Sequence, residues 1–581
     1  MSRDKTLPRF IGIPTFPSEF DDLDRLDLNN LEMRKQVGGK AYGLLCMRSI
    51  LSDFHSEDYS GITIDIPAMT VLCTSVFDAF LEQNDLYRVV NQNRSDDEIG
   101  YAFQQADMPF EILGELRNLV ERVTIPLAVR SSGMLEDVAR RPFAGVYLTK
   151  MIPNNALDAD TRFRKLVEAI KAVWASTFYK TARDYCKATG LCNEDERMAV
   201  IIQEMVGKRY HERFYPELSG VGRSYNFYPI KPAKPEEGVI SLAFGLGKTI
   251  VDGEKSWTYS PAYPQRPPPF GSIEDLLEQT QRTFWSVNMG EQLEYDPIRE
   301  TEYMRLENIT VAERDDSLRY VVSTYHPETG SLTASTSSAG PRAITFAPLL
   351  VLKQLPVNKL INDLLRKCEA AFNSPVEIEF AMTFDPNRFG FLQVRQMVLP
   401  SGDQQVSLAN LDGENILLAS QSVLGNGVID TIQDIVYVRP EHFDFSHTKQ
   451  IANELEIINN QLLSEDRPYL LIVFGRLGTF DPWLGVPVSW GQICGAKVIV
   501  EASQENVKVE MSQGTHYFHN IINLGVKYFS IPFFSPYKID WEWLHRQQVM
   551  FETDFIRHIR LSSPIKVVVD GRHGVGAVYK Q

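Results

Sequence analysis

The chain of 581 residues is 44% hydrophobic and 23% charged, a composition that buries sizeable cores and excludes both a single small binding module and wholesale disorder. Lys+Arg 59 against Asp+Glu 75 leaves a net charge of −16, so the whole-molecule field repels polyanions and speaks against a nucleic-acid partner; an anionic ligand must find local cations. Arg3, Asp4, Lys5 and Arg9 are followed by no signal-type apolar stretch, the apolar runs fall far short of the ~20 residues of a bilayer crossing, and the six cysteines form no CxxC pair, which predicts a cytoplasmic protein with reduced thiols and no membrane partner.

In chain order, Gly38-Gly39-Lys40-Ala41-Tyr42-Gly43 reads as a glycine turn ahead of a helix over 44–51. A strand over 68–73 runs through Thr74 and Ser75 into a helix, and a strand over 126–129 ends in Arg130-Ser131-Ser132-Gly133. Helical periodicity covers 166–185, and 199–206 reads as a buried strand. The proline cluster at 261–271 sustains neither helix nor central strand and reads as an internal connector. Ser272, with Asp275 three positions on, predicts an N-cap for a helix running to about residue 290. Segments 376–381 and 391–394 pair as a hairpin, and the polar stretch 400–415 marks the main boundary. Short apolar runs at 416–419, 434–438, 469–474 and 496–500 predict a smaller α/β domain, and 565–580 reads as a strand–turn–strand hairpin.

Three features carry chemistry. Two glycines before a helix let backbone N–H groups approach a phosphate, with Lys40 as a point charge; the plain alternative is a glycine turn. Arg130 at a strand end suits a forked grip on phosphate oxygens, against the alternative of a solvated arginine. Glu377 and Glu379 are two apart in a strand, so both carboxylates face one way. Like charges side by side call for a cation between them, and Mg²⁺ is the natural choice, with Gln393 and Arg395 on the neighbouring strand as partners. A solvent-facing acidic edge is the alternative.

These residues carry a resemblance. Gly38-Gly39-Lys40, AVRSSG with Glu136-Asp137 and Phe143-Ala144-Gly145, Ile202-Gln203-Glu204-Met205-Val206, Ser219-Gly220-Val221, Gly245-Leu246-Gly247, and Glu377-Ile378-Glu379 with Leu392-Gln393-Val394-Arg395 stand in one order. That order resembles the nucleotide-binding region of phosphoenolpyruvate synthase and pyruvate phosphate dikinase, over about residues 33 to 400. The resemblance implies an α/β and α+β multidomain protein, with an ATP-grasp region followed by a smaller α/β swivelling phosphohistidine-like domain. It implies that Lys40 and Arg130 bind the ATP phosphates and that the backbone of Gln203, Glu204, Met205 and Val206 reads the adenine edge. It further implies that Glu377, Glu379 and Gln393 hold Mg²⁺ and that Arg395 touches the transferring phosphate. The family's Gly-Leu-Gly-Glu is here Gly-Leu-Gly-Lys, so Lys248 replaces a carboxylate and stands either as a phosphate partner or as a solvent-facing cation.

The family passes phosphate through a histidine on its second domain. Ser512-Gln513-Gly514-Thr515-His516, with Gly525-Val526 downstream and Asp481-Pro482 upstream, is remotely similar to that loop, which makes His516 the carrier candidate and His519 its neighbour. The division expected is a leader at 1–32, the ATP-grasp region at 33–400, a linker at 401–415, the histidine-type domain at 416–535 and a helix and hairpin at 536–581. Too little chain follows for the (β/α)₈ acceptor barrel of the full-length relatives. The expected function is an ATP- and Mg²⁺-dependent phosphotransferase moving phosphate through His516 to an unidentified acceptor, with the oligomeric state open. Two alternatives stand beside it: a catalytically silent nucleotide-binding scaffold, and a direct kinase on a small molecule or glycan.

Overall fold

The computed structural model describes residues 9–11, 31–92, 94–134, 136, 145–189, 196–268, 272–292, 294–397, 413–479, 482–504, 525–571 and 573–580. His516, His519, Asp481 and most of the expected linker lie outside the described residues. Among the described residues no helix is long and apolar enough to cross a membrane.

The first half of the chain is built around two sheets. One has five strands in the order Arg9–Ile11, Met69–Leu72, Met198–Glu204, Leu127–Gly133, Thr149–Ile152. Its central strands are buried almost throughout, Met198–Glu204 as a mainly apolar run and Leu127–Gly133 as an apolar start followed by buried Arg130, Ser131 and Ser132. The helix Ala159–Ser176 lies against this sheet; Trp174 on it packs at a tilt against Phe77 and Phe80, and its indole Nε1 donates to Met198 O at 3.2 Å. The second sheet has six strands in the order Trp257–Tyr259, Val239–Ala243, Leu218–Arg223, Val376–Thr383, Arg388–Gln396, Thr63–Asp65. The helix Val357–Phe372 buries Leu360, Ile361, Leu364, Leu365 and Cys368 against one face of it, the stripe expected of a 3.6-residue period. The helix Leu31–Leu51 touches both Leu127–Gly133 and Arg388–Gln396 and so ties the sheets together.

Three helix expectations change. The helix expected over 44–51 after a glycine turn spans Leu31–Leu51, and only Gly38 departs from helical geometry within it. The helix N-capped by Ser272, whose Oγ accepts from Asp275 N at 3.1 Å, ends at Gln279 rather than near residue 290. The Gln281 side chain pairs with the backbone of Phe244, accepting from its N and donating to its O at 2.8 Å each, and this pins the chain into a β-rich run, Thr283–Asn288. The periodic stretch 166–185 is two helices, Ala159–Ser176 and Lys180–Thr189, broken where Asp96 Oδ1 accepts from Lys180 N at 2.7 Å.

Beyond residue 413 a nine-stranded sheet carries a parallel core of Asn426–Val438, Tyr469–Phe474, Ala496–Ala502 and Lys527–Ile531, backed by the helix Thr448–Ser464. The α/β character matches the sequence reading. The extent is larger, because Ile556–Asp570 and Val575–Tyr579, expected as a separate hairpin, are strands of this same sheet, the former pairing with Asn426–Val438. This region packs on the first half: Lys180 pairs with Glu456, and Arg476 Nη1 donates to Gly253 O at 2.7 Å.

Candidate functional site

The helix Leu31–Leu51 is kinked at Gly38 (φ 76°, ψ 172°), a backbone conformation that side chains disfavour. A Cβ there would lie 1.7 Å from Ser132 O, so glycine alone lets the helix press on the strand Leu127–Gly133. Ser132 Oγ completes the junction, donating to Val37 O at 2.7 Å and accepting from Ala41 N at 3.1 Å. Lys40 is thereby delivered beside Ser131: its Nζ donates to Ser131 Oγ at 3.0 Å and to Glu136 Oε1 at 2.8 Å. Glu136 is buried and also accepts from Gly133 N at 2.8 Å, so the ammonium is held by a fixed counter-charge.

Arg130, in the same strand, bridges the two sheets. Its Nη1 donates to Gln203 Oε1 at 3.1 Å and to Leu392 O at 2.7 Å, and its Nη2 donates to Gln393 Oε1 at 2.8 Å. Glu379 Oε2 lies 3.9 Å from the same Nη2. The planar fork explains the choice of arginine, since one rigid head reaches three acceptors from two sheets. Arg130, Gln203, Glu379 and Gln393, all singled out from the sequence, therefore converge at one place.

Glu377 differs. It is opposite Arg395 on one neighbouring strand and Arg223 on the other. Its Oε2 accepts from Arg223 Nε at 2.6 Å and its Oε1 from Arg395 Nε at 2.7 Å, with a second contact from Arg395 Nη2. Glu377 is 1% exposed, and Arg223 and Arg395 lie buried beside it. Two guanidinium groups thus offset the charge of Glu377, partners that the expectation of a metal ligand did not include. Glu379 and Gln393 pair across the same two strands and carry oxygens of the kind that Mg²⁺ takes when one carboxylate and substrate phosphates share it, with the Arg130 guanidinium beside both. Among the described residues no group of three or more His, Cys, Asp or Glu side chains forms a metal cluster.

The segment Gln203 to Val206 divides by side-chain direction. Gln203 turns to Arg130, whereas Glu204, one residue on, faces the other way and accepts from Arg388 Nη1 at 3.1 Å. Met205 joins a small apolar cluster with Ala128, Phe214, Leu246, Val287 and Met289, which brings Leu246 of the Gly-Leu-Gly segment against it. Val206 packs on Gly390, where a Cβ would come 2.4 Å from its Cγ2. Lys248 is not in this cluster: its Nζ pairs with Asp252 at 2.8 Å and Glu300 at 2.9 Å. Burial pushes its pKa down, and the two carboxylates override that and hold it above the usual lysine range. Asp252 is pushed up to about 6 by burial, against the pull of Lys248. The solvent-facing reading of Lys248 is thus set aside for a buried ion-pair network.

Sequence reasoning gave no role to Glu136 or Arg223. Glu136 stood in the quoted motif, three residues after Gly133, a spacing that suits a carboxylate turned back onto a backbone N–H. Arg223 had no local signal; it is 154 positions from Glu377 and meets it only through strand register.

Residues 34–412 match the family described as pyruvate phosphate dikinase, AMP/ATP-binding domain. A phosphoenolpyruvate synthase of Aeropyrum pernix is 28% identical over 284 residues, which are 46% of this chain and 28% of that protein. A probable phosphoenolpyruvate synthase of Archaeoglobus fulgidus is 34% identical over 127 residues, 22% of this chain and 14% of that one. A rifampicin phosphotransferase of Streptomyces sviceus is 27% identical over 163 residues, 27% of this chain and 16% of that one. The chain thus spans less than a third of the length of each of these relatives.

Proposed function

Because the chain belongs to the pyruvate phosphate dikinase AMP/ATP-binding family, we propose that it is an ATP-dependent phosphotransferase that moves phosphate from Mg·ATP to His516 and on to a separate acceptor. The observation that carries this reading is the meeting of Arg130 with Gln203, Glu379 and Gln393, since two sheets have to close on each other to form it. Phosphoryl transfer asks for charge neutralisation and positioning more than for a covalent protein group. In this reading Arg130 grips phosphate oxygens and Lys40 exchanges part of its bond to Glu136 for a phosphate. Arg395, oriented by Glu377, contacts the transferring group. The backbone beyond Gln203, through Glu204, Met205 and Val206, borders the base, and the Met205–Leu246 contact is its apolar floor. Glu379 and Gln393 would hold Mg²⁺, which when bound draws off charge from the phosphate oxygens. A neutral imidazole at His516 attacks phosphorus, and a P–N bond forms as the P–O bond to the nucleotide breaks.

The test is incubation with γ- and, separately, β-labelled ATP and Mg²⁺, followed by assay for acid-labile, base-stable label. Label on the wild type that is absent from His516→Ala and from Arg130→Met supports the reading. Unlabelled protein that still binds ATP refutes transfer and leaves the nucleotide-binding scaffold, which the Glu136 clamp on Lys40 favours. ATP consumption that survives His516→Ala refutes the carrier and leaves direct transfer to a small molecule, in keeping with the rifampicin phosphotransferase among the relatives.

A further inference from the structure

A cavity of about 440 Å³ opens where the second region packs on the first. That volume falls within the range of small-molecule sites. Its walls come from both sides: Val239 and Thr258 from the six-stranded sheet, and Arg476, Leu484 and Ser530 from the nine-stranded region. The proline cluster that reads in sequence as a mere connector supplies Pro267 and Pro268 to the lining.

Three observations bear on what it takes. The first is position. Val239 is directly opposite Arg223, Arg223 opposite Glu377, and Glu377 opposite Arg395, so one row of side chains crosses four strands and ends at the cavity. With strands about 4.8 Å apart, the cavity wall stands roughly 10 Å from the Glu377 position, beside the Arg130 cluster and not within it. The second is charge. Lys231, Lys255, Arg266 and Arg476 line the space against Glu254, on a chain whose net charge is −16. Among the described residues neither Lys231 nor Arg266 has a carboxylate at ion-pair distance, and both are exposed at the rim. The third is shape. Arg266 lies over the Tyr263 ring at 5.7 Å, and flat proline and tyrosine surfaces face the space, walls suited to a planar ring.

We propose that this cavity binds an organic anion bearing a planar ring, held between the two regions at a site separate from the nucleotide. The inference does not depend on phosphate transfer. The experiment uses the full chain and 1-naphthyl phosphate as probe, with 1-naphthol and inorganic phosphate as its two halves, followed by titration calorimetry. The expected result is saturable binding of the whole probe, at least tenfold tighter than either half. Lys231→Met with Arg266→Met weakens it at least tenfold, Tyr263→Ala weakens it without touching charge, and saturating Mg·ATP leaves the affinity within twofold. Lys231 and Arg266 sit exposed at the rim and Tyr263 is half-buried, and an unchanged melting temperature verifies that the variants fold. The proposal is overturned if the wild type does not bind the probe, if 1-naphthol binds equally well, if the variants bind like the wild type, or if Mg·ATP displaces the probe. Loss of ATP binding with probe binding intact counts only against the nucleotide reading.

Discussion

Glu377→Gln separates an ion-pair hub from a metal ligand. The substitution keeps size and removes charge, leaving the guanidinium groups of Arg223 and Arg395 buried with a neutral amide between them, where Glu377 oxygens now accept at 2.6 and 2.7 Å. Removing one partner of a buried ionic group costs about 3–5 kcal/mol, because the remaining charge stays desolvated. Spread over a cooperative unit the size of residues 34–412, that loss lowers the melting temperature by roughly 5 °C, given about 2.1 cal/mol/K of unfolding entropy per residue. Differential scanning fluorimetry measures the shift, and ATP turnover against Mg²⁺ concentration supplies the second axis. Glu379→Gln is the counterpart: Glu379 is partly exposed and 3.9 Å from Arg130, so its loss moves the melting temperature little and raises the Mg²⁺ requirement. The reasoning is refuted if Glu377→Gln melts within 1 °C of the wild type while needing more Mg²⁺, which is the behaviour of a ligand.

Arg130→Met strands the acceptors Gln203 Oε1, Gln393 Oε1 and Leu392 O, and a loss of about 2–4 kcal/mol in urea denaturation is expected together with at least tenfold weaker Mg·ATP binding. Gly38→Ala places a Cβ against Ser132 and strains a positive φ, so it costs about 3 kcal/mol or more; Gly61→Ala, also at positive φ but with open space around it, costs only about 1 kcal/mol. Equal melting temperatures for the two glycine variants would discredit the close-approach argument. In the second region burial tends to raise the Asp434 pKa, and hydrogen bonds from His558, Arg560 and Arg467 override it and hold the group at about 2, against an ordinary value of 3.8. A depressed folded-state pKa gives stability that is present above pH ~4 and lost as pH falls towards 2, worth about 1–2 kcal/mol after solvent screening. Melting temperature against pH, compared with Asp434→Asn, shows this as a steeper acid limb for the wild type.

Local pattern was a reliable guide where one element decides the outcome. Ser272 caps its helix as its spacing with Asp275 requires, the strands read over 68–73 and 199–206 are found as Met69–Leu72 and Met198–Glu204, and the 376–381 and 391–394 segments pair. It failed where a distant group took over, as when the Phe244 backbone captured Gln281 and ended a helix short. The Arg130 cluster was legible as a set of residue types in order, but not as a set of contacts.

What the amino-acid order settled by itself was the supply and the facing of the charges: period-two alternation puts Glu377 and Glu379 on one side of a strand, whatever lies opposite. What only the tertiary structure decided was which cation answers each of them. Arg223 reaches Glu377 across 154 positions and Arg130 reaches Gln393 across 263, through alignments of strands that carry no local signature. Register is a collective property of whole sheets, and a shift of one residue would turn every one of these side chains to the opposite face.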